Sequence, residues 1–522
     1  MRWSSQYERL AVYGTEYAIA TSHPTASAVG LQVLANGGNA VDAALAAHAV
    51  LCVVEPGMTG VGGDCFALYY DARSRKIVGI NGSGYAPAER PATLTPAMFG
   101  PTSPHAVTIP GAVDAWCRLS AAYGTRPLDE LFAPAMRLAE DGTPLHRRVA
   151  WDWANEAPRL ATNAVAAQVF LPGGRAPKAG ERHAQPNLAR TLGAIARHGR
   201  SAFYEGAIAE DMVTALRALG GTHSLEDFAE FHSTAVDPVA TDFAGHRVVE
   251  CPPNSQGVIA LLLLNVLDEL RAEFPPASEA DHIHLLAEAT KSAYDVRDAV
   301  LADEGFLGET VAALLSRDRA RGLARRIKDR ERRRSGAGAG GNTTYLCAVD
   351  RDGNCISFIN SLFDAFGSCI VAPKSGVLLN NRGLCFSLRP EHPNAIGPRK
   401  RPMHTIIPGM ITMPDGRPIG PFGVMGGHYQ AAGHANFVLN LLVRAMDPQQ
   451  ALNAPRSFAT EGVLRVEATL GDSVVQDLQA RGHDVLVWER PIGGGQAIMT
   501  DLARGVLVAG SDPRKDGCAL AR

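Results

Sequence analysis

The run Ser335-Gly336-Ala337-Gly338-Ala339-Gly340-Gly341-Asn342 interrupts the chain with residues that carry almost no side chain to pack. Such a stretch adds nothing to a core and reads as a flexible tether. The residues immediately after it have the opposite character. Thr343 to Asp350 reads as a strand, Arg351-Asp352-Gly353-Asn354 as a hairpin turn, and Cys355 to Ser361 as the returning strand. Any fold for this chain must therefore bury a hairpin that opens, without transition, at the end of a tether.

The boundary has a chemical meaning. A threonine hydroxyl is a weak nucleophile until a base takes its proton, and a chain-terminal α-amine, with a pKa near neutrality, is such a base. Thr343 has no free amine while it is internal. Cleavage of the Asn342–Thr343 bond would create one, dividing the chain into a large segment, 1–342, and a small segment, 343–522, expected to remain one structural domain.

The other motifs are read more plainly. From Ala26 to Val54 apolar residues recur at helical spacing, broken at Gly37-Gly38-Asn39, which predicts two consecutive helices. Further helices are expected over 129–142, 187–198, 206–219, 257–274, 280–303 and 311–328. The loop Thr59-Gly60-Val61-Gly62-Gly63-Asp64 lacks the Lys-Ser/Thr ending of a P-loop and opens a strand, Cys65 to Tyr70, so close backbone packing is its expected use. His282 and His284 sit two apart on a helix and point to different faces, which argues against their sharing a metal.

Composition narrows the function classes. With 46% apolar and 20% charged residues, the 522-residue chain can bury a large core. A formal charge of −3 argues against a nucleic-acid-binding surface, and the dense basic run Arg325–Arg334 is interrupted by acids, as on a solvated helix end. Nine scattered cysteines without a close pair read as free thiols in a reducing compartment. Met1 to Tyr17 lacks the apolar region of a secretory signal, and Ala40 to Val54 is too short to span a bilayer, so a cytoplasmic protein is expected.

The stretch Thr343-Thr344-Tyr345-Leu346-Cys347-Ala348-Val349-Asp350-Arg351-Asp352-Gly353-Asn354 resembles the motif T-T-H-Y-S-V-V-D-x-D-G-N of the gamma-glutamyltransferase family, whose precursors cut themselves before a threonine. Counting back from Asp-Gly-Asn puts the nucleophile on Thr343. The resemblance spans nearly the whole chain, from Gly37-Gly38-Asn39-Ala40-Val41-Asp42 through Gly62-Gly63-Asp64, Asn380-Asn381 and Gly426-Gly427 to Ala454-Pro455-Arg456. It implies an α+β fold, a four-layer αββα sandwich of two stacked sheets flanked by helices. It also implies that Ser361 assists the nucleophile and that the backbone N–H groups of Gly426 and Gly427 form an oxyanion hole.

The charged clamp that holds glutamate in that family is missing. Ser83, Phe363, Arg382 and Cys385 stand where the family carries Arg, Asn, Gln and Asp, and His404-Thr405 replaces a serine pair. Cys385 is no partner for a substrate ammonium, and Arg382 would repel one while offering a donor fork to a carboxylate. This pattern looks like the oxamate amidohydrolase branch. The expectation is an N-terminal-threonine amidohydrolase acting on a small anionic amide, oxamate first, with no metal or organic cofactor. A gamma-glutamyl hydrolase or transferase, or an acylase, with a rebuilt clamp is the enzymatic alternative, and a non-catalytic scaffold the alternative of another class. Pairing of two such heterodimers stays open.

Overall fold

The computed structural model describes residues 9–91, 93–328 and 341–522. The expected tether up to Gly340, and the basic run beyond Lys328, lie outside the described residues.

Two antiparallel seven-stranded sheets are stacked face to face. One runs Val12–Gly14, Val506–Ser511, Gly494–Asp501, Pro418–Met425, Gly409–Thr412, His246–Glu250, Val239–Phe243. The other runs Cys518–Ala521, Ala18–Thr21, Asn342–Val349, Cys355–Phe363, Asp64–Asp71, Lys76–Gly82, Thr234–Val236. Strands from both sides of the 342/343 bond are interleaved in each sheet, so neither segment owns a sheet.

The side-chain alternation of the Asn342–Val349 strand explains the layering. Tyr345, Cys347 and Val349 enter the core between the sheets with Phe66, Met410 and Ile498. Leu346 and Ala348 point the other way, into a second core against the helix Ala40–Val54. A third core packs the helices Gly257–Glu273, Glu279–Val300 and Gln430–Val438 on the opposite sheet. Helix, sheet, sheet and helix give the expected αββα sandwich.

Ala40–Val54 is buried along its whole length, as expected of a helix apolar on every side. Asn39 and Asp42 close a capping box at its start. The hairpin turn is tied to the same point: the Asp350 carboxylate accepts from the N–H groups of Ala40, Asp352 and Asn354 at 2.9, 3.0 and 3.0 Å. The turn of the hairpin that Thr343 opens is thereby anchored to the central helix.

Most expected helices are present with ends moved by one to three residues. The exception is 311–328, which divides into Val311–Leu314 and Arg317–Lys328. Ser316 interrupts it because its Oγ accepts from the N–H of Arg319 at 3.3 Å, a side-chain cap that competes with helix continuation. Among the described residues no helix is long and apolar enough to cross a membrane.

Candidate active site

The ladder between the hairpin strands slips at its open end. Asn342 pairs with Phe363 and Thr344 with Asn360, so two residues, Ser361 and Leu362, oppose Thr343 alone. A bulge of this kind re-aims the side chains around it. Phe363, just beyond, takes a φ of 78°, a left-handed value that bulky residues adopt only when the surroundings impose it.

Thr343 is 2% exposed. Its Oγ1 donates to Ser361 Oγ at 3.3 Å, and Ser361 Oγ donates in turn to the carbonyl oxygen of Asn342 at 2.7 Å. The N–H of Phe363 donates to the same serine at 2.8 Å, which fixes the hydroxyl rotor toward the carbonyl. From the other side Gln430 Nε2 reaches Thr343 Oγ1 at 3.4 Å, while its Oε1 accepts from the N–H of Ile407 at 3.1 Å. The Thr343 hydroxyl, the Asn342 carbonyl and the Ser361 hydroxyl thus meet in one buried knot.

Gly426 and Gly427 follow the strand Pro418–Met425 with φ values of 121° and 56°, a conformation that strains any side chain. Gly341 lies directly over them. A Cβ on Gly341 would come within 2.5 Å of Gly427 Cα, so the backbone ahead of the Asn342–Thr343 bond occupies the space in front of the glycine pair. The loop Gly62-Gly63 serves the same region, since a Cβ on Gly63 would stand 2.4 Å from the carbonyl oxygen of Ser361. Close backbone packing, as expected from the sequence, is its use.

The substituted clamp positions form one buried cluster. Arg382 and His404 are 0% exposed and converge on Asp64, with Arg382 Nε at 3.4 Å and His404 Nε2 at 3.0 Å from Oδ2. Arg382 Nη1 donates to Thr405 Oγ1 at 2.7 Å and lies 3.8 Å from Cys385 Sγ. The guanidinium stacks on Phe363 at 4.5 Å from the ring centroid. Ser83 closes the group through Asn254, whose Nδ2 donates to Ser83 Oγ at 2.9 Å.

Burial first, and the Arg382 charge second, push His404 down to about 4 against the pull of Asp64. The ring is therefore neutral near pH 7. Its Nδ1 accepts from the N–H of Ile406 at 3.3 Å, so Nε2 carries the proton given to Asp64. Burial also raises the Cys385 thiol, opposed by Arg382, which keeps it from acting as an anion.

Arg382, His404, Thr405 and Cys385 do not line the cavity that reaches Thr343. That cavity, about 400 Å³, is bounded by Asn342, Thr343 and Gly426 on one side and by Trp151, Arg465 and Trp488 on the other. Ser83 and Phe363 are likewise absent from its wall, and the cluster is buried against the Phe363 ring instead. It is tied to the glycine pair by Gln256 Nε2, which donates to the carbonyls of Thr405 and Gly427 at 2.7 and 3.1 Å.

Two residues of this arrangement are not singled out by the sequence. Gln430 is one of many polar residues near a glycine motif, and nothing local marks it. Asp64 carries a usable signal, a carboxylate opening the apolar strand Cys65 to Tyr70, where burial without a cation would be costly.

A family model described as gamma-glutamyltranspeptidase matches residues 26–522. The chain is 36% identical to the glutathione hydrolase-like YwrD proenzyme of Bacillus subtilis, over 98% of this chain and 99% of that protein. It is 32% identical to the oxamate amidohydrolase proenzyme of Klebsiella pneumoniae, over 95% and 97%. The solved cephalosporin acylase of Bacillus halodurans superposes with a TM-score of 0.91 at 37% identity, covering 100% of this chain and 98% of that one. These relatives carry an enzymatic reading and remove the scaffold alternative. The chain belongs to the gamma-glutamyltranspeptidase family and is a C–N hydrolase of the N-terminal-nucleophile type.

Proposed function

We propose that this protein is a proenzyme that cleaves itself before Thr343 and then hydrolyses the amide of an anionic acyl donor. The observation that carries the reading is the chain of hydrogen bonds from Thr343 Oγ1 through Ser361 Oγ to the carbonyl oxygen of Asn342. Thr343 Oγ attacks the Asn342 carbonyl carbon while Ser361 polarises its oxygen. The C–N bond breaks, the threonine nitrogen takes up the proton lost by the hydroxyl, and water opens the resulting ester.

The departure of Gly341 and Asn342 then vacates the space before Gly426 and Gly427. Substrate amide enters it, Thr343 Oγ attacks with the new α-amine as base, and the glycine N–H groups hold the oxyanion. The amine or ammonia leaves with a proton from the threonine ammonium, and water releases the acid. The interleaved sheets hold the two segments together throughout.

In this reading Arg382, enclosed against the Phe363 ring in the uncleaved chain, meets a substrate carboxylate once that ring swings aside, and its buried Nη2, which has no hydrogen-bond partner among the described residues, is the donor a ligand would answer. Oxamate, an amide joined directly to a carboxylate, is the smallest acyl donor of this type. A second reading, an acylase for larger donors, draws on the cavity, which is roomier than oxamate needs and has buried Nε and Nη1 donors of Arg465 unpaired in its wall. Turnover of oxamate, a glutaryl anilide and a gamma-glutamyl anilide by the purified enzyme separates these. Turnover of oxamate supports the first reading and of the glutaryl compound the second, whereas turnover of the gamma-glutamyl anilide alone, a donor with an α-ammonium beside its carboxylate, overturns both.

A further inference from the structure

Sequence spacing separates His282 from His284, but the fold brings a different partner to His284. His284 and Glu288 are four apart on one face of the helix Glu279–Val300. His483 arrives from the turn after the helix Asp472–Ala480, placing its Nε2 2.8 Å from His284 Nδ1. Glu288 Oε1 lies 3.9 Å from His483 Nδ1, and one ligand atom from each residue falls within 4.8 Å of the other two. The His483 and Glu288 side chains are 6% and 20% exposed, sheltered but open to an ion from solvent.

We propose that His284, Glu288 and His483 form a binding site for one borderline divalent cation of the Zn²⁺ class, which ties the two segments of the chain together. Two imidazoles and a carboxylate are a donor set suited to such an ion, and three protein ligands leave a fourth position for water. The ring nitrogens must separate by a few tenths of an ångström, toward the roughly 3.3 Å spacing of tetrahedral ligands. One neutral ring shifts its proton to its far nitrogen, so both lone pairs become available without a net change of charge. Lys291, which pairs with Glu288, swings out to solvent.

The position gives the ion a structural consequence. The helix face carrying Ala280, Ile283 and Ala287 packs on Leu464 and Val466 of the three-stranded sheet Ser457–Thr460, Val463–Glu467, Val485–Trp488. Arg465 and Trp488 of that sheet wall the cavity beside Thr343. A bound cation fastens a helix of the large segment to a sheet of the small one, and no step of the amide chemistry passes through it.

The test is metal content by elemental mass spectrometry, with Co²⁺ absorption, on full-length protein stripped by chelator and reloaded with Zn²⁺ or Co²⁺. The expected result is about one equivalent per chain, a tetrahedral-type Co²⁺ spectrum and a raised Tm with Zn²⁺. His284→Ala and His483→Ala should each weaken binding at least roughly 100-fold, with folding checked by circular dichroism. His282→Ala should change nothing. No stoichiometric uptake by the wild type, or uptake that survives both His284→Ala and His483→Ala, overturns the assignment.

Discussion

Ser361 does two jobs with one hydroxyl: it accepts from Thr343 and donates to the carbonyl of Asn342. In the proposed cleavage, its removal leaves the Asn342 carbonyl oxygen without that donor at the moment charge develops on it. Loss of a single oxyanion donor costs about 10²–10³ in rate, so Ser361→Ala should slow self-cleavage by that factor in a gel time course, while Thr343→Ala should remain one band indefinitely. A Thr343→Ala protein that still splits would move the nucleophile elsewhere.

Arg382 acts at the same scale. Arg382→Gln leaves the buried Asp64 with neutral donors alone, the His404 imidazole and the Gly84 N–H, and breaking a buried pair of this kind costs about 3 kcal/mol of stability. The variant should melt lower and show a raised KM for an anionic amide with kcat much less affected. An unchanged KM at full folding would take Arg382 out of substrate recognition.

At the scale of elements, the proposed self-cleavage needs the Asn342–Thr343 bond seated, and the close approach of Gly341 to Gly427 holds the segment ahead of it. Gly341→Ala brings a Cβ to 2.5 Å from the Gly427 backbone at a φ of 123°, a strain of about 1–3 kcal/mol borne by the segment ahead of the bond rather than by the sheets. Self-cleavage should slow at least roughly tenfold with Tm little moved; cleavage at the wild-type rate would mean that the segment seats differently.

The hairpin, the central helix pair and the glycine loop are legible in the sequence because each is local: a turn motif, a period, a steric need. The helix Arg147–Leu160 is not, since no side-chain cap marks its start and Pro158, a helix breaker, stands inside its otherwise periodic run. Gln430, Asp64 and the meeting of His284 with His483 depend on contacts between residues 87, 340 and 199 positions apart, which no window of sequence contains. The clamp substitutions, by contrast, can be grouped from sequence because the family resemblance supplies the alignment that spacing cannot.

For the whole molecule, the buried histidines set the response to acid. Burial pushes His48 down to about 3 and His223 and His404 to about 4, all below the unfolded value near 6.5. The unfolded chain therefore binds more protons than the fold between about pH 6.5 and 4, so stability is lost as pH falls through that window, on the order of 3 kcal/mol for His404 alone. Glu55, raised to about 7 by burial against the pull of Lys515, works the opposite way, since its contribution falls as pH rises from 4.5 to 7. The three histidines outweigh it. The urea midpoint should drop between pH 7.5 and pH 5, with a shallower slope in His404→Asn; a midpoint that rises toward pH 5 contradicts the balance.

The interleaving of strands from both sides of residue 342 means that a cut there need not loosen the molecule, and the proposed chemistry requires that the cut be made. Intact-mass measurement with N-terminal sequencing of purified, active protein tests it most directly. The predicted result is two species, one beginning Thr343-Thr344-Tyr345 and running to Arg522. Full activity in a single unbroken chain would contradict it.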